Sequence, residues 1–264
     1  DRKLERLVLS FGDRVGAQHS PDPAHDGSGV LAHPFERGDD RVRELGRRGA
    51  ADAPGDVVRG RQVRDGPGVG RDPAHPPRIP LQLDVTDPAS IAAVVAAAPD
   101  VTILINNAGA SVSSSGILSH SDQEIRSNIE TNFVGPLMLA RAYAPILAAH
   151  GGETAIIDIH SALSWYAVAG IYSATKAALW SATNSLRIEL APAGVQVVGV
   201  HVGYVDTAMA AGSTDPKLDP AVLVARVLDA TESGAYEVLA DETSVQLKAA
   251  LAAPLEALYP QLAK

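Results

Sequence analysis

The segment Tyr172-Ser173-Ala174-Thr175-Lys176 sets a phenol and an ammonium four residues apart, so a helix would carry both on one face. A tyrosine ionises near pH ~10, and an ammonium within a few Å favours the phenolate. The chemistry such a pair offers is proton exchange with an oxygen near neutral pH. By itself the spacing is weak: six Tyr and five Lys give about 0.1 chance matches in a chain this long. An exposed Tyr and Lys on an amphipathic helix is the plain alternative. Two further polar residues fall where they could join the pair. Ser161 stands eleven residues before Tyr172, and Asn132 lies inside a long helical pattern.

The elements that must position these residues are legible around them. Thr154-Ala155-Ile156-Ile157-Asp158-Ile159-His160 leads into Ser161 as a short, apolar, β-branched run after Gly151-Gly152, and reads as a buried strand. Val101-Thr102-Ile103-Leu104-Ile105 is a second, ending in Asn106-Asn107-Ala108-Gly109. Val195 to Val202 forms a third after Gly194, Leu81-Gln82-Leu83 a short fourth, and Tyr236-Glu237-Val238-Leu239 a fifth. Asp87 followed by Pro88 predicts a capped helix running to about Ala98. Residues 121–149 predict one long helix, or two joined at Gly135-Pro136, and residues 171–191 another. On that last helix Tyr172, Thr175, Lys176, Leu179, Thr183 and Leu186 share a stripe, with enough small and apolar residues elsewhere to bury it on more than one side. Alternating strands and helices predict an α/β fold, a Rossmann-like doubly wound parallel sheet in a single domain.

The order of strand, Asn106-Asn107-Ala108-Gly109, helix with Asn132, strand with Ser161, then Tyr172 and Lys176 resembles the classical branch of the short-chain dehydrogenase/reductase family, from about Ile79 to the C-terminus. The resemblance implies an NAD(P)-dependent oxidoreductase acting on a small carbonyl or alcohol. Tyr172 would exchange the proton, Lys176 would lower its pKa and bond the nicotinamide ribose, and Ser161 would hold the carbonyl oxygen. Asn132 would anchor a water relay to Lys176. Asp84 and Val85 would face the adenine, with Asn106, Ala108 and Gly109 bordering its ribose. Val202-Gly203-Tyr204-Val205-Asp206-Thr207 matches the family's P-G-x-x-x-T loop with Val202 for proline, so Gly203, Val205 and Thr207 would meet the nicotinamide end. The cofactor is NADP or NAD, with NADP favoured on family grounds. A homodimer or homotetramer built through the two long helices is implied as well.

Each residue also has a plainer reading. Asp84 could merely end a strand, Asn132 could be a satisfied polar group in a helix, and the 202–207 segment could be a turn without a ligand. His201 reads as a packed strand residue. Ser161 to Tyr172 is two residues shorter than in most of the family, which locates a deletion near Ala169-Gly170. Ser164 reads as a loop or pocket residue. Tyr166 is a rival phenol, but Gly170 stands where its lysine would be. Ser111 to Ser115, Ser164 to Ala169 and Ala208 to Pro220 are the expected pocket walls.

Composition excludes several classes. There is no cysteine, hence no disulfide or thiolate chemistry, and the eight His show no metal-ligand spacing. A net charge of −9 argues against nucleic acid as a general partner. No run of ~18 apolar residues predicts a membrane span, and the charged residues 1–6 do not resemble a signal peptide, so a cytoplasmic location is expected.

Residues 1–78 differ from the rest. They hold 13 of the 17 Arg, 12 of the 23 Gly and 8 of the 18 Pro, the composition of a loop-rich or disordered segment. Asp and Glu interleaved with the Arg weaken the alternative of a basic nucleic-acid-binding tail. No phosphate-binding glycine turn is legible: Gly66-Pro67-Gly68-Val69-Gly70 lacks a preceding strand, and Pro67 removes an amide donor. Such a composition is what an out-of-frame translation of a G+C-rich gene produces, rejoining the frame shortly before Ile79. A natural extension is the competing account, and the nucleotide sequence decides between them.

Overall fold

The computed structural model describes residues 7–10, 13–15, 28–33, 79–111 and 116–262, with side chains from residue 80 onward. Its main sheet has seven strands in the order β4-β3-β1-β5-β7-β8-β9. These are β1 (Leu7–Ser10), β3 (Ser28–His33), β4 (Ile79–Leu83), β5 (Ile103–Asn106), β7 (Thr154–Ile159), β8 (Val195–His201) and β9 (Glu237–Leu239). Pairs β1–β5, β5–β7, β7–β8 and β8–β9 are parallel, whereas β3 runs antiparallel to both β1 and β4. A separate two-stranded parallel ribbon joins β2 (Asp13–Val15) to β6 (Gly109–Ser111).

The five strands expected from Leu81 onward all form. The strands before Ile79 were not legible, and the structure places β1 and β3 between β4 and β5 in the main sheet. Their apolar runs, Leu7-Val8-Leu9 and Val30-Leu31-Ala32, are too short to show a period. What recruits them is the need of β4 and β5 for backbone partners on their facing edges. Gly66 to Gly70 lies outside the described residues.

The helices are α1 (Pro88–Ala97), α2 (Asp122–Ile129), α3 (Gly135–Ala149), α4 (Ile171–Leu190), α5 (Pro220–Glu232), α6 (Glu242–Ala250) and α7 (Leu255–Leu258). Asp87 caps α1, its carboxylate accepting from the Ala89 amide, with Pro88 at the first position as the sequence predicts. Between α2 and α3 the chain keeps its helical course through a π-helical turn, Glu130–Val134, which carries Asn132. Such turns recur at functional sites because they re-aim one side chain inside a helix.

Strand residues alternate between two cores, as a sheet covered on both faces requires. Leu104, Ile156, Val195 and Val197 pack with Ile91 and Val94 of α1 and Leu139, Tyr143 and Leu147 of α3. Ile103, Ile105, Ile157, Val198 and Val200 pack on the other face with Val227 and Leu228 of α5. Each such side chain, fully buried, contributes about 1.5–3 kcal/mol. These two layers fix the carboxyl ends of β5, β7 and β8, from which the chemistry-bearing residues project.

Candidate active site

Ser161 follows β7 directly, in extended backbone that caps a short 3₁₀ turn, Ala162–Ser164. Its hydroxyl accepts from the Leu163 amide at 3.1 Å and lies close enough to the Tyr172 phenol to favour its ionised form. The shortened loop therefore still brings the two together. Gly170 makes this possible: its φ of +53° sits immediately before α4, a region that favours glycine. Ser173 ties the loop from inside the helix, donating to the Tyr166 carbonyl and accepting from the Ala169 amide. Ser164 is buried behind Ser161, its hydroxyl facing the Ser161 amide, and so braces the loop. Tyr166 stacks on Tyr259, with ring centroids 5.4 Å apart.

Lys176 is 4% exposed and donates to the Ile159 carbonyl at 2.8 Å. Its ammonium lies 5.8 Å from the centre of the Tyr172 ring. The expected direction of influence does not dominate. Burial raises the Tyr172 pKa, the Ser161 hydroxyl opposes that, and Tyr204 raises it further. Burial likewise lowers Lys176 to about 8, with Asp158 pulling the other way. Without a counter-charge in contact, desolvation of the phenolate outweighs the lysine's field.

Asn132, completely buried, turns both ends of its amide on Ala110: Oδ1 accepts from the Ala110 amide at 2.7 Å and Nδ2 donates to the Ala110 carbonyl at 2.8 Å. Nδ2 also reaches Asn128 Oδ1 and Thr175 Oγ1, the latter one residue before Lys176. Its position thus combines the satisfied-polar reading with proximity to Lys176. A Cβ placed on Gly109 would stand 3.6 Å from both Asn132 Oδ1 and Lys176 Nζ, so the backbone here runs beside the ammonium.

Of the other expected cofactor contacts, several serve the fold. Asp84 forms a turn, accepting from the Thr86 amide and hydroxyl, while Val85 is core and packs against Gly135. Asn106 donates to Asp158 and the Pro136 carbonyl, leaving a buried Oδ1 without a hydrogen-bond partner among the described residues. Ala108 is buried in the core layer. The Gly203 amide is held by Asp241 at 2.6 Å, and Val205 bridges to Leu218. Thr207 is half-buried and donates only to the nearby Val205 carbonyl at 3.3 Å.

Sequence reasoning missed Asp158 and His160, whereas His201 is the packed strand residue it was read as. Asp158 is 1% exposed, accepts from Asn106 and Thr183, and is pushed up by burial. Its signal was a charge inside an apolar strand run, where a carboxylate persists only if partnered. Among the described residues no group of His, Asp and Glu could hold a metal ion, and no helix is long and apolar enough to cross a membrane.

The carboxyl edge of a doubly wound sheet, at the switch in strand order, is where such folds bind ligands. Here the edge offers an ammonium, a phenol, the hydroxyls of Ser161 and Thr207 and close backbone at Gly109. That donor set suits a ribose, a carboxamide and a reacting oxygen, the nicotinamide end of a dinucleotide. The ribbon β2–β6 stands at the switch itself, because β2 follows β1 and β6 follows β5.

A largely parallel sheet covered by helices on both faces, with a Ser, a Tyr and a Lys gathered at its carboxyl edge, defines a Rossmann-type architecture. Residues 72–217 match the profile of the short chain dehydrogenase family, and the chain belongs to that family. It is 30% identical over 220 residues to a trans-4-hydroxycyclohexanecarboxylate dehydrogenase of Sinomonas cyclohexanicum, covering 80% of this chain and 77% of that one. It is 37% identical over 134 residues to an NADPH-dependent 1-acyldihydroxyacetone phosphate reductase of Schizosaccharomyces pombe, 48% of this chain and 44% of the relative. The chain thus spans under half the length of that relative. A crystal structure of a short chain dehydrogenase from Burkholderia cenocepacia in complex with NADP superposes with a TM-score of 0.64 at 35% identity, covering 70% of this chain and 78% of that one.

Proposed function

We propose that this chain is an NAD(P)-dependent oxidoreductase that interconverts a carbonyl and an alcohol, with Tyr172 as the group that exchanges the proton. The observation that carries the reading is the gathering of the Ser161 hydroxyl, the Tyr172 phenol and the buried Lys176 ammonium at the carboxyl edge of the sheet. NADP is the favoured cofactor, in line with the NADP complex of the Burkholderia relative and the NADPH dependence in the name of the yeast one. A bound nicotinamide would supply or accept the hydride at the substrate carbon.

The chain's own residues do the rest. Ser161 and Tyr172 present two hydroxyls to one substrate oxygen, orienting it and stabilising charge as the carbonyl becomes an alkoxide. In reduction the phenolic proton of Tyr172 passes to that oxygen. Burial favours the protonated phenol before reaction, which suits this direction. Lys176, near pKa 8, is charged at neutral pH and stands beside the phenolate that forms. Lys176 and Thr207 would hold the nicotinamide ribose and carboxamide. The expected pocket walls, Ser164 to Ala169 and Ala208 to Pro220, mix small and apolar residues with Trp165, Tyr166, Asp215, Lys217 and Asp219, and would accept many carbonyl compounds. A homodimer or homotetramer through the two long helices is part of this reading, with Ile188 of α4, 76% exposed, as an apolar contact for it. A cytoplasmic site of action belongs to the same proposal.

The second reading is a family member that cannot seat a dinucleotide. Its support is the ribbon β2–β6, which pairs Asp13–Val15 with Gly109–Ser111 across the switch point. Titration of the full chain with NADPH and NADH, followed by nucleotide fluorescence, separates the two. The enzyme reading expects a micromolar Kd, about −8 kcal/mol, and NADPH oxidation with at least one member of a ketone panel. No binding to about 1 mM overturns it in favour of the second.

A further inference from the structure

β8 ends in His201, a ring with no exposed surface, packed against the other side of the Ser161 peptide. Its Nδ1 lies 3.2 Å from the Ser161 carbonyl oxygen. Trp165 stacks on it, centroids 3.8 Å apart and 17° from parallel, and His160 tilts against it at 4.8 Å. Trp165 in turn meets Trp180 edge-on at 5.7 Å. This aromatic stack leaves the ring no alternative rotamer without a void.

Burial decides its protonation: it holds His201 down to about 3, opposed by the Ser161 carbonyl and reinforced by Lys248, Arg187 and Lys176, so the ring is neutral and carries one N–H. Two acceptors face it: the Ser161 carbonyl at Nδ1, and Glu237 Oε1, 3.5 Å from Nε2. Glu237 already has Lys248 and the Trp180 indole N–H as partners, and His201 Nε2 makes no hydrogen bond among the described residues. His160 is neutral too, its two ring nitrogens without partners among the described residues. The single proton of His201 therefore belongs on Nδ1, where a nitrogen lone pair would otherwise face the Ser161 carbonyl oxygen at 3.2 Å.

We propose that His201, as its Nδ1–H tautomer, is a positioning residue that clamps the Ser161 carbonyl and so aims the Ser161 hydroxyl at Tyr172. The inference rests on the reading of Ser161 and Tyr172 as the reacting pair. Ladder bonds from the His160 and Ala162 amides to the Val200 and Val202 carbonyls bracket the same peptide. The Ser161 carbonyl also accepts from the Ser164 amide at 3.0 Å. The His201 bond is the only one of these made by a side chain, and therefore the only one a substitution can remove while the strand stays paired. Misplacement of a reacting group by about 1 Å can lower rates about 100-fold.

Two variants separate clamping from packing. Asparagine places its amide N–H near the position of Nδ1–H, whereas phenylalanine keeps the stack and removes the donor. H201N should retain kcat within about threefold. H201F should lose tenfold or more in kcat while the Kd for NADPH stays within about twofold. The reverse order, with H201F active and H201N impaired, overturns the clamp and assigns the ring to packing. Nitrogen-15 NMR of the full wild-type chain gives a second readout that needs no turnover: a proton on Nδ1 with no titration between about pH 5 and 9 is expected. A proton on Nε2 overturns the proposal even in an active enzyme. An inactive chain with the proton on Nδ1 overturns the proposed function and leaves the clamp standing.

Discussion

Asn132 and Ala110 are joined amide to amide, the side chain of one closing a two-bond ring with the backbone of the other at 2.7 and 2.8 Å. A helix is thereby fastened to the short strand β6 that follows Asn106-Asn107-Ala108. Asn132→Ala would leave the buried Ala110 N–H and C=O without these partners, at about 1–3 kcal/mol for each group. Urea unfolding should show a loss of about 2–5 kcal/mol. Asn132→Asp keeps the acceptor, loses the donor and adds a buried charge, so it should be no more stable than the alanine variant. A loss under about 0.5 kcal/mol in both would mean that the clamp is not formed.

Tyr172→Phe removes the hydroxyl proposed to pass a proton to the substrate oxygen while keeping the ring's packing. The expected outcome is a fall in kcat of about 100-fold to 10,000-fold, with the Kd for NADPH changed by no more than about threefold. Steady-state kinetics and fluorescence titration measure the two separately. Retention of a tenth or more of the wild-type rate would remove Tyr172 from its proposed role.

Much of this candidate site was legible because its spacing survives in sequence: Ser161, Tyr172 and Lys176 sit at the ends of elements whose periods are plain. Apolar β-branched runs mark β5, β7 and β8 for the same reason, since strands buried on both faces tolerate little else. Asp158 and His160 were opaque because a polar residue inside such a run looks like a strand residue until its partners are known. The Tyr172 pKa was misjudged for a related reason. Spacing reports which charge is near, but the depth of burial that outweighs it is a property of the assembled core. Before Ile79 the runs are only three apolar residues long, so β1 and β3 become visible only as partners for β4 and β5.

Gly170 links loop and helix at φ +53°, and a Cβ there would stand 2.6 Å from His120 Cε1 and 3.2 Å from the Ile117 amide nitrogen. Gly170→Ala should therefore cost about 1–2 kcal/mol for backbone strain and more for the clash. It should also lower kcat by displacing the start of α4. Adding His120→Ala should recover the clash and leave the strain, a coupling that a double-mutant cycle in urea reads directly. Additive effects would show that His120 and Gly170 do not meet.

The histidine pair sets how stability responds to acid. His201 titrates near 3 in the folded chain against an ordinary value of 6.5, and His160 is also held well below 6.5 by burial and the neighbouring cations. Between pH 6.5 and 3 the unfolded chain binds protons that the folded chain refuses, so stability must fall as pH falls through that window. Each ring contributes at most about 1.4 kcal/mol per pH unit there. Asp158 opposes the trend, since a carboxyl pushed up by burial takes its proton earlier in the folded state. Comparison with His201→Asn isolates the ring: the variant lacks that titration, so its unfolding free energy should fall less steeply from about pH 6.5 to 4 than that of the wild type. Parallel pH profiles for the two would mean that His201 is protonated as readily inside the fold as outside it.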